Sequence, residues 1–425
     1  MTKKCFVFIY LPGQILAVPA GELTMTDSST TFVYGRRYLQ NPARLPVDPL
    51  LLPLRQHPFL LDANRLGAIR DATPDFWGRL VFGYGKQGEV FHEMDYLLDE
   101  NACRVGNLDF RASPSSLEPA VKLPQAISLK DLMDAAEAIE KEIPDRVQQE
   151  VLMLLQQGSS IGGARPKTTI VDDEGMWIAK FPSRYDRWSN ARVEAATMRL
   201  SSLCGVTIPE MKIVDLAGKD VLLIKRFDRE TMGRDFVRKG YMSGLSFLEI
   251  DENERERFSY LEIADKMRKF GMSGQLAEFF RRMAFNMLCR NTDDHPRNHG
   301  FLYQDGSFSL SPAFDVTPTP CAPGVSTVAY LAMTAGTLEG RSATIENVLS
   351  ASERFGLTRE EAGRTVKSMI QTCLTAWEEI FNQYGVRARD KSIFAHTFER
   401  WRDDDGHSDH DKKSSFPAIH GPNAS

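Results

Sequence analysis

Between Asn291 and Thr319 the chain reads NTDDHPRNHGFLYQDGSFSLSPAFDVTPT: a polar loop, a short hairpin turned at Asp305-Gly306, and a second polar loop. It follows the apolar run LAEFFRRMAFNMLCR, in which Leu276, Phe280, Met283, Met287 and Leu288 recur at helical spacing and predict one buried face. Asp293 and Asn298 stand five residues apart in the first loop, and Asp315 follows the hairpin, flanked by Phe314. An oxygen-only set of Asp, Asn and Asp suits a hard cation such as Mg²⁺ better than zinc. An aspartate beside such a cation can also accept the proton of an attacking hydroxyl. His295 and His299, with Asp293 or Asp294, offer a rival zinc set. That ligation needs a helix, and Pro296 inside the H-x-x-x-H spacing argues for a loop.

Working outward, four upstream features add to this island. GSSIGGARPK (Gly158 to Lys167) is a glycine-rich loop. Gly162-Gly163 would let main chain approach phosphate oxygens, and Arg165 with Lys167 adds positive charge, although the spacing fits no standard phosphate-loop motif and an ordinary turn reads equally well. Next comes a hairpin, TTIVDDEGMWIAKFP, turned at Asp173-Glu174-Gly175. Lys180 ends its second strand, either snorkelling at the edge or turned inward to phosphate. A helix follows, NARVEAATMRLSSLCG, read from an Asn190 N-cap to a Gly205 C-cap; its Glu194 either orients Lys180 or is solvated. KDVLLIKRFDR then reads as a buried strand ending in charge. Each feature alone is ambiguous. Their order, glycine loop, lysine, glutamate, apolar strand, D-x-x-x-x-N, aspartate, is that of a two-lobed kinase, in which cations and N–H groups surround phosphates, oxygens hold Mg²⁺ and a carboxylate accepts a proton.

Residues 1–110 are proline-rich with short apolar strands and read as a β-leaning module containing one aromatic segment, DATPDFWGRLVFGYG (Asp71 to Gly85). Its Trp77 cluster reads as core, with a binding surface as the alternative. Lys3-Lys4, CFVFIYL and AVPA imitate a signal peptide, but Pro12-Gly13 reads better as a type II turn between strands Cys5 to Leu11 and Gln14 to Val18. Ser128 to Gln157 predicts two helices around Pro144. Residues 111–228 then form a small lobe with the glycine loop, and 229–403 a lobe nearly all helical apart from the Asn291 to Thr319 island. Residues 404–425, with few aliphatic side chains, are expected to be disordered, their His407, His410 and His420 solvated.

Fifty-two basic against 57 acidic side chains in 425 residues leave a net charge of −5, so the overall field draws in neither nucleic acid nor an anionic membrane. Any polyanion must be bound locally. Six cysteines without a C-x-x-C pair exclude a zinc ribbon and a disulfide framework, and no apolar run reaches the ~18 residues of a membrane span. A cytoplasmic protein is expected.

SSIGGARPKTTI, WIAKFP, LLIKRFDR, NTDDHPRNH and SPAFDV, together with GEL (Gly21 to Leu23) and PDFWGRLV (Pro74 to Val81), resemble the HipA-like serine/threonine kinases, toxins of bacterial toxin–antitoxin pairs. The resemblance implies an α+β, two-lobed protein-kinase-like fold with a β-rich N-terminal module and a mostly helical C-terminal lobe. It implies ATP and Mg²⁺ as cofactors. Gly162, Gly163, Ala164, Arg165, Pro166 and Lys167 would line the phosphates, Lys180 would contact them, and Lys225, Arg226 and Phe227 would be the hinge against adenine. Asp293 looks like the proton acceptor. His295, Pro296, Arg297 and Asn298 continue the catalytic loop, with Asn298 and Asp315 on the metal and Phe314, Val316 and Thr317 beside the nucleotide. Ser160, or else Ser159, would be autophosphorylated. A phosphate there would add about −1.5 to −2 charge, repelling ATP and competing for Arg165 and Lys167. The implied partners are an unidentified protein substrate, with a translation component as one candidate, and a HipB-like helix-turn-helix antitoxin that alone would reach DNA. Two departures stand out: Asp294, where a small residue is more usual, could compete for metal or proton, and Pro166 stiffens the phosphate loop. A non-catalytic co-repressor and a small-molecule kinase are the alternatives.

Overall fold

In a computed structural model the chain is described over residues 2–86, 88–99, 103–116, 129–143, 146–158, 163–322 and 328–403. The 404–425 tail and the serines Ser159 and Ser160 lie outside the described residues.

The N-terminal sheet comprises β1 (Lys3–Tyr10), β2 (Ala17–Met25), β3 (Thr30–Tyr34), β4 (Phe59–Leu61) and β5 (Leu108–Arg111), in the antiparallel order β4-β3-β2-β1-β5. Gly13 has φ 71° and Gln14 N–H donates to Leu11 C=O at 3.0 Å, the turn expected of Pro-Gly, although the second strand starts only at Ala17. Gly21, in the GEL motif, lies so close to Val33 C=O and the Phe32 ring that a Cβ would collide with both. Within this mixed, β-leaning module the aromatic segment forms a helix, Phe76–Gly83. The module packs against both following lobes. Trp77 and Val81 share a core with Leu132, Ile139, Trp177 and Val221 of the next lobe, while Cys5, Val7 and Ile9 join the same core as Phe247, Phe279 and Met283 of the C-terminal lobe.

The second lobe begins with helices Leu129–Glu140 and Gln149–Gly158. Its sheet, β6 (Lys167–Asp172), β7 (Gly175–Lys180), β8 (Met211–Leu216) and β9 (Lys219–Lys225), has the antiparallel order β6-β7-β9-β8. Asp172 Oδ1 accepts the N–H groups of Glu174 and Gly175 and the Trp177 indole, which closes the β6–β7 turn. Helix Asn190–Leu203 crosses between β7 and β8. Its N-cap is Ser189 rather than Asn190, whose amide instead links Trp188 and Asp186.

The stretch after Asp228 is not helical as expected. β10 (Arg229–Met232) and β11 (Asp235–Arg238) form a hairpin, and β12 (Gly240–Ser243) pairs with β13 (Gly300–Gln304), itself paired with β14 (Ser307–Leu310). The partner of β12 is some 60 residues away, a pairing local periodicity cannot report. Helices Tyr260–Lys269, Leu276–Leu288, Arg359–Gln383 and Ala388–Glu399 build the rest of the C-terminal lobe. All six cysteines are buried and none is in a disulfide, and among the described residues no helix is long and apolar enough to cross a membrane.

A buried ionic cluster joins module to lobe. Asp228 accepts from Arg226 (2.7 Å), Arg229 (2.8 Å) and Gly106 N–H (2.9 Å), while Arg226 also donates to Cys103 C=O (2.8 Å) and Arg104 C=O (3.1 Å). Burial alone would raise the Asp228 carboxyl, but the two guanidiniums hold it far below the usual range. Asp228→Ala leaves buried cations uncompensated and is expected to cost about 3–5 kcal/mol in urea unfolding.

Candidate active site

A cleft of about 440 Å³ opens between the β6–β9 sheet and the loops flanking β13–β14, with residues 71–75 of the N-terminal module on one side. Ile178 and Ile224 from the sheet and the aromatic rings of Phe227, Tyr241 and Phe314 supply its apolar wall. Phe227 stands 5.8 Å from Phe314 and 6.4 Å from Tyr241 between ring centroids.

At the polar end Lys180 Nζ donates to Glu194 Oε1 at 2.6 Å and also to Asp315 Oδ1. The three groups come from the end of β7, the Asn190–Leu203 helix and the loop after β14, so one ammonium ties two lobes. Burial disfavours the Lys180 charge, but Asp315 and Glu194 together hold it protonated well above the usual lysine range. Burial likewise opposes the Asp315 carboxylate, yet Lys180 and Lys167 keep it far below the usual carboxylate range. For Glu194, 8% exposed at the side chain, burial outweighs Lys180 and lifts the carboxyl. Asp315 has φ 55°, a left-handed conformation sparsely used outside glycine and a form of strain that gathers at functional sites.

The first loop sits on the end of the Leu276–Leu288 helix. Asp293 C=O accepts from His295 N–H (2.8 Å) and Asn298 Nδ2 (3.1 Å), and its carboxylate is exposed at the cleft. Asp294 turns the other way. It is buried and accepts from Tyr260 OH and from His299 Nε2 (2.8 Å), with Asn286 Nδ2 donating to Tyr260 at 3.2 Å. The expected competition for metal or proton is corrected: Asp294 anchors the loop to the core. The same pairing takes His299 away from His295, so the rival zinc set does not assemble, and among the described residues no three His, Cys, Asp or Glu side chains gather as a metal site. His295 Nδ1 is buried in the cleft wall and has no hydrogen-bond partner among the described residues.

The cleft thus brings together Gly163, Ala164, Arg165, Lys167, Lys180, Arg226, Phe227, Asp293, His295, Arg297, Asn298, Phe314, Asp315 and Thr317. Four residues named with them do not line it: Pro166 C=O accepts from Phe181 N–H, Lys225 reaches out to Glu210 at 2.8 Å, and Pro296 and Val316 pack into the interior. Arg226 borders the cleft but spends its guanidinium on Asp228, so only Phe227 of the expected hinge offers a side chain to a planar ring. Gly162 lies outside the described residues. Tyr241, Asp71 and Asp75 were missed. Tyr241 sits on a strand expected to be helix, and the two aspartates belong to the N-terminal module, outside the two lobes expected to form the cleft.

The profile of the HipA-like C-terminal domain matches residues 159–377. The chain belongs to the HipA-like family. A curated relative from Haemophilus influenzae, described as "Putative kinase", is 30% identical over 189 residues, 39% of this chain and 55% of that protein. A second so described, from Sinorhizobium fredii, is 30% identical over 174 residues, 36% of this chain and 40% of its own length. The HipA-like chain therefore spans about half the length of the curated relatives it matches. It superposes on a solved structure from Shewanella oneidensis, a toxin–antitoxin complex of HipA, HipB and operator DNA, with TM-score 0.68 and 14% identity over 92% of this chain and 95% of that one. At that identity the likeness carries fold alone, an α+β fold like that of the HipA chain.

Proposed function

We propose that this HipA-like chain is an ATP- and Mg²⁺-dependent serine/threonine protein kinase that modifies a protein target and its own glycine-loop serine, Ser160 or Ser159. The observation that carries the reading is the Lys180 ammonium held between Glu194 and Asp315 in the same cleft as Asp293 and Asn298. The residues fit the cofactor chemically. Asn298 and Asp315 offer hard oxygen donors for the metal. Lys180, Lys167 and the unpartnered His295 Nδ1 offer positive charge or N–H to phosphate, and Gly163 abuts Lys167 Nζ so closely that a Cβ would collide with it. Phe227, Tyr241 and Phe314 offer stacking faces to a base. MgATP, when bound, supplies the transferable phosphoryl group. Asp293, whose carboxylate has no hydrogen bond among the described residues, accepts the proton of the substrate hydroxyl, and Lys180 holds Asp315 in its strained conformation.

We propose further that an antitoxin of the HipB kind binds this chain, by analogy with the Shewanella complex, and that a chain of net charge −5 reaches DNA only through it. Purified protein incubated with ATP labelled at the γ-phosphate and Mg²⁺ is expected to label itself and a protein band of cell extract, and to lose both signals with EDTA. Label confined to the small-molecule fraction would make it a small-molecule kinase. Self-labelling that survives both Ser160→Ala and Ser159→Ala would remove the loop serine from the scheme.

A further inference from the structure

We propose that the PDFW segment of the N-terminal module is a positioning clamp for the glycine loop, in which Asp75 and the main chain of Trp77 hold both backbone polar groups of Gly163 and Asp75 also faces Arg297 of the 291–298 loop. The catalytic consequence rests on the kinase reading above. The clamp itself does not.

Gly163 has φ 115°, a conformation that residues with a side chain rarely adopt, and ordering a glycine there costs more backbone entropy than at any other residue type. Its N–H donates to Asp75 Oδ2 at 3.2 Å and its C=O accepts from Trp77 N–H at 3.2 Å, two bonds to one short segment 88 residues earlier in the chain. At the other end of the loop, Lys167 C=O accepts from the indole Nε1 of Trp77 at 2.8 Å, with Trp77 itself 1% exposed. Both ends of Gly163–Lys167 are therefore fixed to the start of one helix, Phe76–Gly83.

Asp75 occupies the N-cap of that helix, where an aspartate ordinarily accepts from an N–H of the first turn. It makes no such bond and turns to Gly163 instead. Its other neighbours are cationic: Arg70 Nη2 at 3.6 Å from Oδ1 and Arg297 Nη1 at 3.9 Å from Oδ2. Burial pushes the Asp75 carboxyl up, but Arg297, Arg70 and the Gly163 N–H outweigh it and keep the group ionised. Arg297 is anchored in turn by Glu252 at 2.9 Å. One carboxylate thus sets the glycine loop, from above the cleft, against the loop that carries Asp293 and Asn298, from below it.

The test compares full-length wild type, Asp75→Ala and Asp75→Asn by hydrogen exchange without nucleotide, then by steady-state kinetics. Asp75→Ala is expected to speed exchange in peptides covering Gly163 to Lys167 by roughly tenfold or more, the loss of one charge-assisted hydrogen bond, with exchange unchanged outside that loop, the Asp75 segment and the 291–298 loop. Asp75→Asn keeps an acceptor oxygen and is expected to restore most of that protection. In phosphate transfer, Asp75→Ala is expected to raise KM for ATP about tenfold with kcat within about twofold, because a loop already ordered is lost rather than a reacting group. Unchanged exchange in Asp75→Ala, or equal loss in the alanine and asparagine variants, would overturn the clamp. Faster exchange with an unaltered KM would overturn its catalytic role. Faster exchange in Asp75→Ala, alongside wild-type protein that transfers no phosphate, would uphold the clamp and sink the kinase reading.

Discussion

Asp293→Ala is expected to lower phosphate transfer by about 10²- to 10⁴-fold, the range of a lost general base, while leaving the melting temperature unchanged. The separation follows from where its atoms point. The carboxylate makes no hydrogen bond to the described residues and is exposed at the cleft, whereas the groups that shape the loop, His295 N–H and the Asn298 amide, bond to the Asp293 carbonyl, which alanine keeps. The adjacent Asp294→Ala should do the reverse. It strands the Tyr260 hydroxyl and His299 Nε2 in the interior and is expected to cost about 2–4 kcal/mol of stability. Circular dichroism melts beside transfer assays of the two variants give the check. A cold-stable Asp293→Ala protein with wild-type labelling would remove this residue as the proton acceptor.

Lys180→Met is expected to lose both stability and transfer, by about 3–5 kcal/mol and at least about 10²-fold respectively, because Glu194 and Asp315 are left facing each other without their shared cation. The pH dependence of the Asp315 contribution should change sign. In wild type the Asp315 carboxyl is depressed below its unfolded value, so its contribution is present above about pH 4 and is lost as pH falls through the depressed folded value. In the variant only Lys167 is left beside the two buried carboxylates: Asp315 is expected to rise above its unfolded value and Glu194, already raised in wild type, to rise further. Their contribution is then present below about pH 4 and is lost as pH rises through the raised folded values. Urea unfolding at about pH 5 and about pH 8 should therefore find the variant relatively more stable at the lower pH. A deficit independent of pH would show that Lys180 acts through packing and not through charge.

How much of this was legible beforehand depends on the range of the interaction. The β6–β7 hairpin, the Leu276–Leu288 helix and the hairpin turned at Asp305-Gly306 were readable because each is specified by neighbours within a dozen residues. The pairing of β12 with β13 was not, and reading residues 229–243 as helix hid Tyr241 from the cleft. Lys225 and Arg226 illustrate a second limit. A strand end shows which residue types stand near a hinge, but side chains alternate between faces, and only the fold shows that one meets Glu210 at the surface and the other Asp228 in the interior.

By itself the sequence determined the kind of chemistry available: a glycine loop, a lysine, a glutamate and an oxygen-only set spaced along one chain, in a protein too acidic overall to attract a polyanion except at a local site. Residue types carry charge, donor capacity and backbone freedom wherever they lie. Only the tertiary structure decided which of two adjacent aspartates faces the cleft, that Lys180 joins carboxylates from two lobes, and that the start of a helix in the N-terminal module bonds to Gly163. Those outcomes depend on burial and on contacts between residues far apart in the chain, where the cost of an unpaired charge in the interior selects one arrangement among many that local sequence permits.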